Sequence, residues 1–522
     1  MTTAFDITPA LKLFAKFRLA QLAYQSSTRK SLMRTQEREL RKLLIRAFDT
    51  KFGRDHDFIK ITSVAEYQKR VPIRKYEEMW ESYWKSAFPN LVNCSWPGKV
   101  NYFALSSGTT SGSTKYIPYT KEIMKTTTRA GVDLLVHHVN NRPKSKLLGG
   151  KSFILSGSTD LVQFSNDVIG GDMSGICMKL MPAWARNRSY PPKDNTGIKS
   201  WETMIDKFAE SSLSADIRSL NGAPSWMLLF LDKLRQIKPE SSGKLANLYP
   251  NLEMVVHGGM SFAPYKKIYD EILEGSRAET REVYPASEGF LAVQDRGYSE
   301  GMRLIIDNGI FFEFIPTSEM ESSNPTRHWI GNVEADLDYA VVLTTQAGLW
   351  SYFIGDIVRF VSVTPPRILM PGRTSYMLSA VGEHVIGEEI DDSLLFAANE
   401  AGLNISEYSV GAIFPKNSSE LVGHQYVIEF GSKIPSTEIL AKFIKTYDQK
   451  LIDRNEDYAA HRKNEFGLSP PKFLIANSGA FKEWMRSRGK LGGQNKVPRV
   501  INNQELFWGL FSFVENYNQL KK

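Results

Sequence analysis

Between Ser152 and Thr344 short runs of β-forming residues alternate with stretches of helical period, and this interleaving restricts the chain to α/β architectures. The β-type runs are Ser152–Leu155, Leu252–Val256, Arg281–Tyr284, Arg303–Ile306, Gly309–Ile315 and Ala340–Thr344. Helical stretches fall at Trp201–Ser211, Ser225–Ile237 and Pro264–Leu273. Both hairpin-like and crossover spacings occur, so a mixed sheet with covering helices is expected.

Two flanking regions read differently. From Thr8 to about Asp49 the pattern is helical, with Leu11, Phe14, Ala15, Leu19 and Leu22 at three- and four-residue steps and a second helix over Ser31–Phe48. Ten Lys or Arg stand against two Glu between Lys12 and Arg46, which reads as a solvated helix face. Near Pro365-Pro366 and Pro371-Gly372-Arg373 the composition breaks. Beyond it a smaller α+β unit is expected, with a helix around Gly387–Asn399, strands at Tyr408–Phe414 and His424–Phe430, and a helix over Ser436–Asn455. The boundary is set at 374/375, giving domains 1–374 and 375–522.

Composition removes several classes. The chain has 522 residues, 10 Trp, 21 Tyr and 29 Phe, too aromatic for a disordered chain. Cys94 and Cys177 are the two cysteines, too few for a disulfide scaffold or a four-cysteine zinc site. The densest apolar run, Trp226 to Leu231, is far short of a membrane span. A net charge of +8 is mild for this length and suits anionic substrates. A cytoplasmic protein with no membrane or nucleic-acid partner, monomeric or weakly dimeric, is the expectation.

Familiar catalytic signatures are missing. No two glycines are spaced as G-x-G, so the dinucleotide fingerprint is absent. No H-E-x-x-H occurs, and adjacent His137 and His138 cannot share one helix face, so they read as structural or surface residues. Gly108–Gly112 and Gly171–Gly175 place serine fourth, where a nucleophile elbow needs it third.

The most informative segment is Ser106–Thr114, in which seven of nine residues are Ser or Thr and two are Gly. Hydroxyls and glycine amides are small donors on a pliable backbone, suited to wrapping polyphosphate oxygens. Lys115 follows and adds a point charge. The Walker pattern does not fit, because Ser113 follows Gly112. A Ser/Thr-rich surface linker is the alternative, weighed against the β-like run Val100–Leu105 before it and the apolar Tyr116-Ile117-Pro118 after it.

Three further stretches accompany it. Val255-Val256-His257-Gly258-Gly259-Met260 is a strand entering a glycine turn, where backbone can approach a flat ring. In Val283–Gly289, Tyr284 could stack a base while Glu288 reaches a magnesium ion; a core tyrosine and a surface glutamate would look the same. In Gly348–Asp356 an apolar strand ends in Gly-Asp, placing an acid to accept ribose hydroxyls.

The ordered set S-S-G-T-T-S-G-x-x-K, Y-x-A-S-E, G-L-x-x-Y-x-x-G-D, G-R and G-Q-x-K-V-P-R resembles the Gretchen Hagen-three family. These are auxin-responsive acyl-acid amido synthetases of plants and their bacterial relatives, within the adenylate-forming superfamily of acyl-CoA synthetases and luciferase. Val71–Glu77 and Phe311–Pro316 add to the likeness, which runs over nearly the whole chain. The resemblance implies a large adenylate-forming N-terminal domain and a mobile C-terminal lid. It implies a bacterial-type, ATP- and magnesium-dependent ligase that adenylates a carboxylic acid and passes the acyl group to an amino acid, releasing AMP and pyrophosphate.

Residue by residue, the resemblance places Ser106, Ser107, Gly108, Thr109, Thr110 and Ser111 around ATP phosphates. It puts Gly258, Gly259, Tyr284, Ala286 and Ser287 at the nucleotide, and Glu288 at the metal. Asp356 holds the ribose, and Arg373 stands near the hinge. Lys496 and Lys115 act on the reacting phosphates. Ser351, Phe353 and His384 depart from the pattern, standing where relatives carry basic residues. An acyl-CoA ligase and a catalytically silent nucleotide-binding regulator are the alternatives. The acid and the amine are not readable, and the divergence from plant motifs makes plant hormones a poor default.

Overall fold

The computed structural model describes the chain apart from residues 1–4, 108–113, 156–160, 192–200, 260–261, 263–265, 298, 321, 374–377, 379–384, 414–422, 432–433, 456–457, 460–461, 463–467, 491–495 and 522. It also leaves out the side chains of residues 106, 107, 201–204, 225, 226, 229 and 371–373. The chain divides into two compact units. The first takes 1–106, 114–354 and 358–370; the second takes 107–113, 355–357 and 371–522.

The first unit opens with two helices, α1 (Thr8–Gln25) and α2 (Arg29–Ala47). The side chain of Thr28 caps α2 by accepting from the Ser31 N–H. Leu11 and Ala15 of α1 pack on Val136 and Val139 of a later helix. The basic face is not wholly solvated. Arg18 is buried and donates to Asp133 at 2.6–2.7 Å and to Asp307 at 2.7–3.0 Å. An apolar stripe continuing on both sides of this arginine gave no sign that its charge turns inward.

The strands in chain order are β1 (Tyr102–Ser107), β2 (Thr114–Pro118), β3 (Lys151–Ile154), β4 (Val162–Ser165), β5 (Val168–Gly171), β6 (Ser189–Tyr190), β7 (Ile217–Gly222), β8 (Met254–Gly258), β9 (Glu279–Ala286) and β10 (Gly289–Val293). They continue with β11 (Met302–Leu304), β12 (Ile310–Pro316), β13 (His328–Trp329), β14 (Asp338–Thr345), β15 (Leu349–Val363), β16 (Pro366–Arg373), β17 (Ile405–Ile413), β18 (Gly423–Phe430) and β19 (Lys472–Ala476). A small sheet has the order β2-β1-β5-β4, and a long one the order β13-β12-β14-β15-β16-β11-β10-β9-β8-β7-β3-β6. The long sheet is mixed, as expected: β6, β3, β7, β8 and β9 run parallel, and the rest of the described pairings are antiparallel. The C-terminal ends of β7, β8 and β9 therefore lie along one edge, the usual place for ligands in parallel sheets.

Covering helices follow the sequence pattern closely at α4 (Trp201–Ser212), α5 (Pro224–Ile237) and α6 (Lys266–Leu273). A 21-residue helix, α3 (Lys121–Asn141), has no counterpart in the sequence pattern. Its Thr126-Thr127-Thr128 run and scattered valines are weak helix formers, so tertiary packing overrides local propensity there. The Thr120 hydroxyl caps it by accepting from the Ile123 N–H. His137 and His138, near its end, are both buried. Burial holds the His137 imidazole down at about 4, and His138 bridges Glu279 at 2.9 Å and Glu253 at 3.6 Å. Both are structural.

The second unit holds the sheet β17-β18-β19 with helices α7 (Gly387–Ala401), α8 (Thr437–Arg454), α9 (Ala480–Ser487) and α10 (Gln504–Leu520). One face of this sheet packs Tyr426 and Ile428 against Leu394, Phe443 and Tyr447. Val427, alternating with them, packs with Trp484, Phe507 and Leu510. No helix among the described residues is long and apolar enough to cross a membrane.

Candidate active site

The hairpin β9–β10 is closed by Ser287-Glu288, with Ala286 opposite Gly289. A two-residue connection fixes register tightly and leaves little freedom to the side chains it carries. Glu288 is buried at 9% exposure, so the surface-glutamate alternative does not hold. Tyr284 is 3% exposed and sits in a core with Leu291, Leu304 and Phe312.

Strand β15 carries Tyr352, whose phenol feels the Glu288 carboxylate. Burial, then the Glu288 carboxylate, Tyr76 and Glu77, push the Tyr352 phenol well above its usual range. Tyr352 is bridged to Arg74, whose N–H donates to the Ser351 carbonyl at 3.0 Å. Tyr76 follows two residues later; its hydroxyl accepts from the Tyr116 N–H at 2.9 Å, and burial raises it to about 12. The ammonium of Lys115 lies 5.5 Å from the centre of the Tyr76 ring. The lysine leaving the hydroxyl-rich segment thus shares a neighbourhood with Glu288 through two buried phenols, each neutral near pH 7. The sequence marks Tyr352 as the tyrosine of G-L-x-x-Y-x-x-G-D and Tyr76 as part of Val71–Glu77, with no role for either.

At the end of β8, Gly258 leaves no room for a side chain, since a Cβ there would lie 2.3 Å from the Val283 carbonyl oxygen. Gly259 adopts φ +80°, a left-handed turn that only glycine enters freely. The expected end of an apolar strand at Gly355-Asp356 is corrected: β15 runs on to Val363. Gly355 at φ +85° interrupts the extended geometry without terminating the strand. Asp356 is fully buried within it. Ser106 and Ser107 end β1, and Arg373 ends β16. Gly108, Thr109, Thr110, Ser111 and His384 lie outside the described residues. Lys496 is half-buried in the second unit, in an irregular segment before Val500.

Ser351, at a departure from the family pattern, belongs to a buried network. Its hydroxyl donates to Glu313 at 2.9 Å and accepts from Arg327 at 2.7 Å, while Tyr67 and Thr344 complete the cluster. Arg327 also forks onto the fully buried Glu313 at 2.9–3.0 Å. This arrangement fixes structure and offers no open charge to a ligand.

A cavity of about 320 Å³ opens in the first unit between the helix Lys121–Asn141 and the sheet. Its walls include Thr127, Thr128, Val256, Val283 and Phe290, the last two residues beyond Glu288. Alternation governs what it sees. On β8, Met254 and Val256 face the cavity while Val255 joins the opposite core with Leu220. Cys177 lines it too, its thiol pushed up to about 11 by burial and therefore protonated and inert.

Among the described residues no three acidic, histidine or cysteine side chains gather into a cluster able to hold a metal by themselves. A magnesium ion does not require one. It keeps waters and binds through one or two carboxylates plus substrate phosphates, and the buried Glu288 carboxylate suits that mode.

Family models decide the membership. The GH3 family N-terminal domain matches residues 22–278, the central domain 303–373 and the C-terminal domain 388–505. The chain belongs to the GH3 family. Among curated GH3 relatives, the indole-3-acetic acid-amido synthetase GH3.4 of Arabidopsis thaliana is 25% identical over 287 residues, covering 50% of this chain and 46% of the relative. GH3.15 of the same plant, also named an indole-3-acetic acid-amido synthetase, is 26% identical over 332 residues, covering 58% and 54%. The chain thus spans about half the length of the curated relatives it matches. A solved GH3.15 acyl acid amido synthetase in complex with 2,4-DB shares the fold, with TM-score 0.80 and 19% identity over 98% of each chain. A 2-hydroxyisobutyryl-CoA ligase with bound 2-HIB-AMP reaches TM-score 0.57 at 14% identity, over 93% of this chain and 92% of the ligase. The GH3 fold is therefore related in architecture to adenylate-forming ligases.

Proposed function

We propose that this GH3 protein is an ATP-dependent acyl-acid amido synthetase. A carboxylate oxygen of the acid attacks the α-phosphorus of ATP, and pyrophosphate leaves. The amine of an amino acid then attacks the acyl carbon; the amide forms, AMP leaves, and the amine's proton passes to solvent. The observation that carries this reading is the shared neighbourhood of Lys115 and the Glu288 hairpin beside an apolar cavity, at the C-terminal ends of parallel strands.

In this reading Ser106 to Ser111 wrap the phosphates with hydroxyls and backbone amides, and Lys115 sets a positive charge where β- and γ-phosphate oxygens gather. Glu288 would hold a magnesium ion, which when bound supplies charge neutralisation to the polyphosphate. Gly258 and Gly259 admit the nucleotide close to backbone, beside Tyr284, Ala286 and Ser287. Asp356 takes the ribose hydroxyls, and Arg373 sits at the junction of a large domain, 1–374, and a lid, 375–522. Lys496 comes from that lid. A cation that arrives as negative charge develops on the α-phosphate stabilises the transition state more than the ground state.

The test is an acid-by-acceptor matrix read as pyrophosphate and AMP release, with amino acids and coenzyme A as separate acceptor arms. Acid-dependent ATP–pyrophosphate exchange, followed by AMP release only with amino acids, is the expected result. Lys496→Ala and Glu288→Gln should each lower exchange by about 100-fold or more. Turnover with coenzyme A in place of amino acids would assign the protein to thioester formation. No exchange across a broad acid panel would make it a nucleotide-binding protein without turnover.

A further inference from the structure

The apolar cavity of the first unit has one polar corner. Ser152 of β3 and Ser219 and Asn221 of β7 all turn toward it from adjacent parallel strands. The Ser219 hydroxyl donates to Ser152 at 2.8 Å. The Asn221 amide nitrogen donates to the Ser152 hydroxyl at 2.9 Å, to the Ser219 hydroxyl at 3.2 Å and to the Phe153 carbonyl at 2.9 Å. The last contact fixes the amide's orientation, because a backbone carbonyl only accepts and would repel the amide oxygen in its place. Asn221 Oδ1 therefore points away from its own clamp. No donor among the described residues reaches it.

The charge balance of the cavity sharpens this. Arg188 is a cation on its wall, and each of its three guanidinium nitrogens is already committed to a backbone carbonyl: Leu148 at 3.1 Å, Trp184 at 3.0 Å and Phe5 at 2.8 Å. Those bonds use three of its five N–H groups and hold the guanidinium in place against the backbone. In the polar corner the exposed function of Asn221 is an acceptor, which repels an anion and takes an O–H or N–H donor. What the Asn221 oxygen lacks, among the described residues, is a donor.

Position fixes which part of a ligand supplies it. Asn221 on β7 and Phe290 on β10 are separated by β8 and β9, about 14 Å across the sheet at roughly 4.8 Å per strand. A cavity of about 320 Å³ holds on the order of ten heavy atoms at about 30 Å³ each.

We propose that the acid bound by this protein carries a hydroxyl or N–H group at the end remote from its carboxylate, donated to Asn221 Oδ1. This inference rests on the reading that the acid lies in this cavity with its carboxylate toward the Glu288 hairpin. It adds that the distal end is a hydrogen-bond donor, which makes Asn221 a specificity-determining residue.

The test uses the full-length protein and two matched pairs of acids: ω-hydroxyoctanoate against octanoate, and p-hydroxyphenylbutyrate against phenylbutyrate. Binding is followed without ATP, by ligand-induced thermal stabilisation and calorimetric titration, and pyrophosphate exchange is measured separately. At least one hydroxylated member should bind about fivefold to tenfold more tightly than its partner, the value of one neutral hydrogen bond. In Asn221→Leu that ratio should fall to within about twofold. Equal binding within both pairs by the wild-type protein overturns the inference, as does binding of neither member. So does a preference that survives in a folded Asn221→Leu protein. The wild-type comparison decides the matter if that variant fails to fold. Selective binding without pyrophosphate exchange would overturn the synthetase reading while upholding this one.

Discussion

His257 and Glu282 stand opposite each other on the parallel strands β8 and β9, and burial drives both toward neutrality. The imidazole is depressed to about 3 and the carboxyl raised to about 7. Their effects on stability run in opposite directions. A carboxyl raised above its unfolded value near 4.5 binds extra proton in the native state, so stability falls as pH rises from about 4.5 to 7. A histidine depressed below 6.5 binds less proton when folded, so stability falls as pH drops from 6.5 toward 3. Glu282→Gln, which removes the first liability, should raise stability at pH 8 by about 1–2 kcal/mol, allowing for partial solvent access. At pH 4 it should change little. Thermal melts of both proteins at the two pH values check this; an equal shift at both would mean that packing, not ionisation, is responsible.

The attachment of α1 is an element-scale case of the same physics. Its polar anchor is Arg18, which neutralises Asp133 of the helix Lys121–Asn141 and Asp307 of the loop before β12, with Arg129 sharing Asp307 at 2.7 Å. Arg18→Met would leave the buried Asp133 carboxylate without its arginine and Asp307 with Arg129 alone, and should cost about 3–5 kcal/mol, read as a lowered midpoint in urea. The sheet's mixed character, α2 and most covering helices were legible because their apolar period is set by the face they bury. The helix Lys121–Asn141 was not, since its residues disfavour helix locally and its reward comes from packing on α1 and β10. At the candidate site the ordered motifs were legible as a set. The burial of Tyr76 and Tyr352 near Glu288, the orientation of the Asn221 amide and the burial of Glu288 itself were not, because each depends on which distant strands become neighbours.

At the scale of the whole chain, the two units have separate apolar cores, one built around the long sheet and the other around β17–β19. Differential scanning calorimetry should therefore resolve two endothermic transitions. A single transition with equal calorimetric and van't Hoff enthalpies would show that the units melt together. Within the larger unit the period-two alternation of the strands has an evolutionary consequence. Ser219, Asn221, Met254, Val256 and Val283 meet the cavity, the last three while also packing with Ala130, Leu134 and Leu147, whereas Leu220, Val255 and Tyr284, threaded between them, belong to other cores. A lineage, or a mutagenesis library, can therefore rewrite Ser219 and Asn221 freely, and Met254, Val256 and Val283 within the volume their packing allows, and retarget the molecule to new chemicals while the intervening positions keep the scaffold standing.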